Sequence, residues 1–312
     1  MSSRHVIGVG VLVAGLVAAS WTPLRAQHPT EAMELMFNNL RPSGQPVIPV
    51  FDGWYPKPDG TFDLCFGYFN LNTKETLDIP VGPDNVIEPR RFDGSQPTHF
   101  MAVPPPPNLY RRYFCTFVVN VPANFGKIER VVWTLRVRGR SFSVPGHLGS
   151  VNYKLQELSA KEAGRTSLAP VIKFLPSGPE GRGRSGVRLG PLSVKAGSPL
   201  ALPMSVTGPA GGPEGFDPDA QDDDGGRPVI RDGKRRIWWV IWAKHQGPGD
   251  VTFSPPEIDI WEGQTTTATS AKFGKPGEYV LRVQAIDNPG EGGSYQFHCC
   301  WTNGYVRVTV TP

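Results

Sequence analysis

The sequence predicts an all-β protein with two β-sandwich domains joined by a Gly/Pro-rich linker. Short runs in which apolar and polar residues alternate recur along the chain, as in half-buried strands. Gly and Pro account for 36 and 33 of the 312 residues, and both favour the turns that separate short strands. A chain of this length accommodates about two domains.

Residues 1–26 are predicted to be a secretory signal peptide. Arg4 gives a basic start, residues 6–19 are apolar, and Ala26 precedes the expected cleavage site. The apolar run is shorter than the roughly 20 residues of a membrane span, and we expect no span after signal removal. The chain is therefore expected to be secreted or periplasmic. Leu24 stands where a small residue is preferred, so a retained N-terminal anchor is the alternative.

Net charge gives little indication of a partner. The formal charge is +4, and removal of Arg4 and Arg25 with the signal lowers it to +2. A weakly charged, exported chain is not expected to bind nucleic acid. We expect instead a protein or glycan partner in the cell envelope.

The four cysteines raise the question of disulfides, because exported chains fold in oxidising compartments. Cys65 and Cys115 lie in two predicted strands of one domain, and we expect them to be bonded. Cys299 and Cys300 are adjacent and would point to opposite faces of a strand, so their state stays open. The chain has no Cys-x-x-Cys spacing, which argues against a four-cysteine metal site.

The first domain is predicted to cover residues 45–145. It follows an N-terminal segment, residues 27–44, in which Thr30 can cap a short helix. Lys57-Pro58-Asp59-Gly60 has the chemistry of a tight turn and should connect the first two strands as a hairpin. The predicted strands of this domain are 47–55, 61–70, 76–80, 113–121 and 130–137.

The second domain is predicted to cover residues 187–312, after a linker at residues 146–186. Gly, Pro, Ser and Arg dominate the end of the linker. A polar insertion at residues 208–236 interrupts the domain. Its predicted strands are 192–194, 200–206, 237–242, 251–255, 265–269, 277–287 and 305–310.

Several motifs of the second domain keep a fixed order. They are Trp242-Ala-Lys, Gly247-Pro248-Gly249-Asp-Val251-Thr-Phe253, Thr266-Thr267-Ala268, Pro276-Gly277-Glu-Tyr279-Val280-Leu281-Arg282 and Ala285-Ile-Asp287. This series resembles polycystic-kidney-disease (PKD)-type and related Ig-like domains of secreted bacterial proteins. The resemblance implies an extracellular sandwich used for spacing, adhesion or protein contact, and it implies no catalysis. The sequence departs from the family pattern in lacking a Trp-Asp-Phe-Gly-Asp-Gly motif and in carrying the insertion.

The first domain resembles only uncharacterised β-rich segments of secreted proteins, and that likeness implies no activity.

The strand at residues 237–242 is apolar on both faces. Alternation places Trp238, Val240 and Trp242 on one face, and Ile237, Trp239 and Ile241 on the other. One face should fill the sandwich core. A second exposed apolar face would be unusual, so we expect the first domain, the insertion or a partner to cover it, with an intramolecular cover as the leading hypothesis.

A candidate ligand-binding group lies in the first domain. It combines the aromatic residues Trp54, Tyr55 and Tyr68 with Asn70 and Asn72. Aromatic faces and amide side chains together suit a glycan. The alternative is that these residues pack in the core or at its rim.

The insertion contains a candidate calcium site, and no other cofactor is expected. Calcium prefers several carboxylate oxygens, and five aspartates lie close together at Asp217, Asp219, Asp222, Asp223 and Asp224. Their spacing does not match an EF-hand loop, and basic residues follow at once. The alternative is a solvated loop that binds no ion.

The sequence shows no recognisable catalytic motif. It contains no His-x-x-x-His pair, no Gly-x-Ser-x-Gly elbow and no phosphate-binding glycine loop. We therefore expect a non-enzymatic exported structural or binding module. A glycan-binding protein is the second hypothesis. The third is a hydrolase whose paired carboxylates come together only in the fold.

Overall fold

The computed structural model describes residues 41–102, 112–155, 169–208, 230–287 and 301–312. The predicted signal peptide and helix, the five aspartates of the calcium hypothesis, and Cys299 and Cys300 lie outside these residues. Within them the chain consists of strands, turns and two short 3₁₀ turns. The predicted all-β fold is confirmed.

The strands of the first half are β1 Val47–Pro56, β2 Phe62–Asn70, β3 Leu77–Asp78, β4 Asn85–Glu88, β5 His99–Phe100, β6 Arg112–Val121, β7 Val131–Val137 and β8 Arg140–Gly146. Those of the second half are β9 Val171–Phe174, β10 Glu180–Arg182, β11 Val187–Lys195, β12 Pro199–Thr207, β13 Ile230–Arg231, β14 Lys234–Gln246, β15 Val251–Ser254, β16 Glu257–Trp261, β17 Thr266–Phe273, β18 Gly277–Asp287 and β19 Trp301–Thr311.

Two three-stranded sheets form what we call the N-terminal sheet pair. One has the order β1-β2-β6, with the predicted β1–β2 hairpin, and the other has the order β4-β7-β8. Their apolar faces enclose one core, in which Trp133 is fully buried. Its ring lies edge-on to Phe117, with centroids 5.0 Å apart, and its indole nitrogen donates to Asn85.

Two larger sheets form the C-terminal sheet pair. The five-stranded sheet has the order β10-β9-β12-β17-β15, and the six-stranded sheet has the order β11-β19-β18-β14-β13, with β16 also paired to β14. β11 runs parallel to β19. Trp242, Leu281 and Phe273 are among the residues that fill the core between the sheets. This arrangement is an Ig-like β-sandwich.

Part of the predicted linker belongs to a sheet. β9 pairs with both β10 and β12, so residues 171–182 form a hairpin within the five-stranded sheet. Ile172 and Phe174 are buried while Val171 and Lys173 are partly exposed, which is the period of a half-buried strand. The linker interpretation was wrong here because it followed the Gly/Pro composition of the hairpin turn.

Residues Leu40–Pro312 form one compact unit, and the position of a boundary between two domains stays a prediction.

The end of the predicted insertion is a hairpin. β13 pairs with the start of β14 around Asp232 and Gly233, whose φ angles are +52° and +72°. Two successive positive φ angles define the turn that matches the twist of a tight hairpin, and Asp-Gly is a preferred sequence for it. Residues 230–236 are therefore structured, and the Asp-Gly signal was present in the sequence.

The apolar strand β14 differs from the predicted alternation at one residue. Trp238, Val240 and Trp242 face the C-terminal core as expected, but Ile237 also packs there. The pairing of β14 with β16 shifts register between Arg236 and Trp238, so Ile237 is the extra residue of a β-bulge. A bulge changes the face to which a side chain points.

The predicted disulfide is confirmed. Cys65 on β2 and Cys115 on β6 are bonded, with their Cα atoms 5.0 Å apart and a sequence separation of 50. Both cysteines are fully buried. The bond therefore crosslinks two adjacent strands of the N-terminal sheet pair at their buried faces.

Removing the disulfide should lower the free energy of unfolding. For this sequence separation the chain-entropy argument predicts a loss of about 4 kcal/mol in the Cys65→Ala/Cys115→Ala variant. Urea denaturation followed by tryptophan fluorescence measures it, with the reduced wild-type chain as the matched comparison. An unchanged unfolding midpoint in both samples would contradict a structural role for the bond.

Candidate functional site at the junction of the sheet pairs

The outer face of the six-stranded sheet packs against the N-terminal sheet pair. Trp239 and Ile241 of β14 lie against an apolar cluster that contains the disulfide. The buried members of this cluster are Tyr55, Cys65, Cys115, Val118, Leu155, Ile286 and Trp301. The predicted intramolecular cover of Trp239 is therefore present, and the first half of the chain supplies it.

A buried carboxylate organises the strand that provides this cover. Asp52 accepts hydrogen bonds from the backbone N–H of Cys115, at 2.7 Å, and from the guanidinium of Arg112. Cys115 has a φ of +41°, within a register shift between β2 and β6. At Gly67, opposite this shift, an added Cβ would lie 2.2 Å from the carbonyl oxygen of Tyr113. Only glycine fits this close approach.

Arg112 remains a cation in this buried setting. Burial lowers its pKa to about 10, and Tyr153 acts in the opposite direction. This pKa is still well above neutral pH. The guanidinium therefore carries the positive charge that balances the fully buried carboxylate of Asp52.

Besides the apolar cluster, a set of hydrogen bonds joins residues 94–98 to the end of β14. We call this set of contacts the seam. His245 contacts the carbonyl oxygen of Ser95 through Nε2, at 2.9 Å, and its ring lies edge-on to Tyr305. Gln246 donates to the carbonyl oxygens of Gly94 and Gln96. His245 is the extra residue of a register shift between β14 and β18, which directs its ring to this seam.

The imidazole of His245 is neutral at neutral pH. Burial lowers its pKa to about 3; the hydrogen bond to Ser95 opposes this shift, whereas the charges of Arg282 and Arg188 add to it. The neutral ring donates to the Ser95 carbonyl, so it acts as a structural hydrogen-bond donor.

A buried ammonium fixes the same end of β14. The Nζ of Lys244 lies 2.9 Å from a carboxylate oxygen of Asp78 and donates to the carbonyl of Gly249. His99 contacts the same oxygen of Asp78, at 2.8 Å. Burial raises the pKa of Asp78, but the hydrogen bonds from His99 and Lys244 outweigh this and lower it. Asp78 thus stays ionised beside the lysine.

Another hydrogen-bonded group at the junction is centred on Asp63. Its side chain is almost fully buried and accepts hydrogen bonds from the hydroxyls of Tyr55 and Ser185 and from the amide of Asn120. Burial, followed by the charge of Asp63, raises the pKa of Tyr55, so the tyrosine keeps its proton and donates it. Ser185 comes from the second half of the chain, and the group therefore links the two sheet pairs.

A cleft of about 390 Å³ opens beside this group. Its lining residues are Lys57, Asp63, Phe92, Ser95, Val118, Val119, Asn120, Ser185, Gly186 and Arg188. Both halves of the chain contribute, and the volume lies within the range of small-molecule sites. Two cations, an aromatic ring and several hydroxyl or amide groups suit a small polar ligand with a negative charge. The cleft was missed because its residues come from segments far apart in sequence.

The residues of the predicted glycan-binding group do not line the cleft, although the Tyr55 hydroxyl contacts Asp63 and Ser185, which do. Tyr55 and Tyr68 are buried, and Asn70 and Asn72 have no exposed surface. Asn70 donates to three backbone carbonyls and accepts from the backbone N–H of Asn72. Trp54 is partly exposed, and its indole nitrogen donates to Ser150. This geometry favours the packing alternative, and ligand binding by the group stays a prediction.

Metal binding also stays a prediction, because the five aspartates proposed for calcium lie outside the described residues. In the described part of the chain, no group of three or more His, Cys, Asp and Glu side chains is placed to hold a metal ion. That part likewise contains no helix with the length and apolarity to cross a bilayer.

One pair of neighbouring carboxylates bears on the hydrolase hypothesis. Burial raises the pKa of Glu257, and Asp259 adds to the shift while Trp239 opposes it. Asp259 forms an ion pair with Arg236 at 3.1 Å. Both carboxylates lie on β16 and neither lines the cleft. The carboxylate among the described lining residues is Asp63, whose two oxygens already accept hydrogen bonds.

Comparisons with known proteins identify no family. No family model and no curated protein matches the chain. Solved structures similar to it include the D0-D1 domain of Intimin (8% identity, 85% of this chain and 98% of that chain, TM-score 0.23) and the D00-D0 domain of Intimin (13% identity, 86% and 100%, TM-score 0.24). A third is the serine-rich repeat protein Srr2 from Streptococcus agalactiae (9% identity, 79% and 84%, TM-score 0.20). The Ig-like assignment rests on the sheets described above.

The buried imidazole should make stability depend on pH. The folded-state pKa of His245 is about 3, below its ordinary value of 6.5, so the unfolded chain binds a proton first as pH falls. The contribution of His245 is complete above pH 6.5 and is lost between pH 6.5 and about 3. Within this range the free energy of unfolding should fall by about 1.4 kcal/mol for each unit by which the pH is lowered.

Urea denaturation at a series of pH values measures this slope. His245→Gln keeps an amide donor and should remove the slope in that window. His147→Gln replaces a partly exposed imidazole whose pKa is also lowered, and should remove much less. If the free energy of unfolding depends on pH in the same way in wild type and His245→Gln, the pH dependence does not come from His245.

Proposed function

We propose that the chain is a non-enzymatic structural or binding module that is exported to the periplasm, cell envelope or extracellular space. This proposal is supported by the way ionisable side chains are buried where the two sheet pairs meet. At this junction the ionisable side chains Asp52, Asp63, Lys244 and His245 are buried, and each is hydrogen-bonded to a backbone group or to a neighbouring side chain. Asp63, Lys244 and His245 contact residues of the other half of the chain, and Asp52 fixes β6 within the first half, whereas a catalytic acid or base needs to reach a substrate.

The relation to PKD-type and related Ig-like modules is part of the same proposal. Two of the motifs behind the resemblance lie against each other in the fold. Gly247 has a φ of +143°, and an added Cβ there would lie 2.1 Å from the ring of Tyr279. The Tyr279 hydroxyl donates to the carbonyl of Lys275 at 2.8 Å. The Gly-Pro-Gly turn and the Pro-Gly-x-Tyr strand thus form one packing unit, which supports a sandwich built for spacing or contact.

Fractionation of a bacterial host that expresses the full chain tests the proposal of export. We expect the chain in the periplasm or medium, with Cys65 linked to Cys115 in non-reducing peptide maps. The Cys65→Ala/Cys115→Ala variant is the control for the map. A cytosolic chain with free Cys65 and Cys115 thiols would contradict export.

Binding and turnover assays on the exported chain test the rest of the proposal. We expect saturable binding to envelope fractions and no turnover across panels of glycan, ester and peptide substrates. Turnover that disappears in Glu257→Gln or Asp259→Asn, with the fold retained, would establish the hydrolase hypothesis instead. Asp59→Asn, which alters an exposed turn carboxylate, is the matched control.

Glycan binding is a second candidate function, and the lining of the cleft favours it. Phe92 offers an apolar ring face, and Asn120 and Ser185 offer hydrogen-bonding groups. Lys57 and Arg188 would suit a carboxylate or sulfate on the sugar. This candidate places the site in the cleft, which is lined by none of the five residues that the sequence predicted for glycan binding.

A glycan array followed by calorimetry tests the second candidate. Loss of one charge-assisted contact in Arg188→Ala should weaken binding about tenfold or more. The exposed Arg182 lies outside the lining of the cleft, and Arg182→Ala should leave the affinity unchanged. Loss of binding in Trp54→Ala, without loss in Arg188→Ala, would move the site to the predicted aromatic group. An array without any binding would reject the second candidate.

A further inference from the structure

Three strongly exposed apolar residues of the described chain lie on two neighbouring loops. Large apolar side chains with high exposure occur at Val81 (40%), Ile128 (89%), Val151 (79%), Tyr153 (44%) and Ile230 (49%). Ile128 belongs to the loop at residues 126–130, and Val151 and Tyr153 belong to residues 147–154. We call these two segments the tip loops.

The tip loops are in contact with each other. An added Cβ at Gly149 would lie 3.0 Å from the carbonyl oxygen of Lys127 and 3.8 Å from the guanidinium of Arg130. Arg130 in turn donates to the carbonyls of Lys127 and Glu129, both at 2.8 Å. The exposed residues of both loops therefore belong to one surface.

The base of the tip loops is anchored in the N-terminal core. Phe125 and Leu148 are buried members of that core. The ring of Tyr153 stacks on Phe51, with centroids 5.4 Å apart. The carbonyl of Ser150 accepts from the indole of Trp54, at 3.0 Å. The backbone of the loops is thus held in place while Ile128 and Val151 project into solvent.

Basic residues surround these apolar side chains. Lys127, Arg130 and Lys154 are exposed. The carboxylate of Glu129 turns back to accept from the backbone N–H of Gly126. The surface around the tips therefore carries an excess of positive charge.

We propose that the tip loops bind the surface of anionic lipid bilayers, with Ile128 and Val151 inserted among the lipid headgroups. Side chains that project as far as Ile128 and Val151 make few contacts with a flat protein surface. They can, however, enter the fluid headgroup region of a bilayer. Apolar residues flanked by Lys and Arg are the pattern that anionic membranes attract. The inference is independent of the cleft and of the proposed structural role.

Cosedimentation of the mature chain with vesicles tests the proposal. We expect binding to vesicles of phosphatidylcholine with phosphatidylglycerol, and much weaker binding to phosphatidylcholine alone. Ile128→Ser/Val151→Ser should reduce the partition coefficient by about tenfold or more. Lys127→Gln should reduce it by about fivefold, with a weaker dependence on salt.

The matched control is Val81→Ser/Ile230→Ser, which removes exposed apolar side chains outside the tip loops and should leave partitioning unchanged. Circular dichroism confirms that each variant is folded. Three outcomes would overturn the proposal: no binding to anionic vesicles, an equal loss of binding in the control, or a dimer in analytical ultracentrifugation that Ile128→Ser abolishes while vesicle binding persists. The last outcome would assign the tip loops to contact with a second copy of the chain.

Discussion

Burial of the outer face of the six-stranded sheet is the constraint on which the rest of the structure depends. In an isolated Ig-like sandwich, Trp239, Ile241 and Trp301 would present a large apolar surface to water. Each buried aromatic or branched side chain contributes roughly 1.5–3 kcal/mol, so the gain from covering this face is substantial. Strands β1, β2 and β6 and Leu155 provide the cover, and the Cys65–Cys115 bond lies within the same cluster.

The polar features of the junction follow from closing this apolar contact. Strands that approach so closely bring backbone and charged groups out of water, and each such group needs a partner. Asp52 binds the backbone of a residue with positive φ, Lys244 binds Asp78 and a carbonyl, and His245 stays neutral and donates to Ser95. The cleft lies at the same junction, and the buried Asp63 and the Ser95 and Ser185 segments are part of its lining.

Sequence reasoning was successful where the determinants are local. Local residue patterns predicted strands at β1, β2 and the centre of β14, turn chemistry predicted the β1–β2 hairpin, and strand assignment predicted the disulfide. Ile237 was misplaced because a bulge depends on the partner strand, and residues 171–182 were misread because composition was given more weight than alternation. The cleft could not be found, since its lining unites residues as distant as Lys57 and Arg188, which only the junction brings together.

Native-state hydrogen exchange measured by mass spectrometry at increasing urea tests the central claim most directly. If burial of Trp239 makes the two sheet pairs one cooperative unit, the slowest amides of β2 and β6 and those of β17 and β18 should converge on a single free energy of opening. In Trp239→Ser the two sets should separate. Two distinct free energies in the wild-type chain would contradict the account and show that the sheet pairs unfold independently.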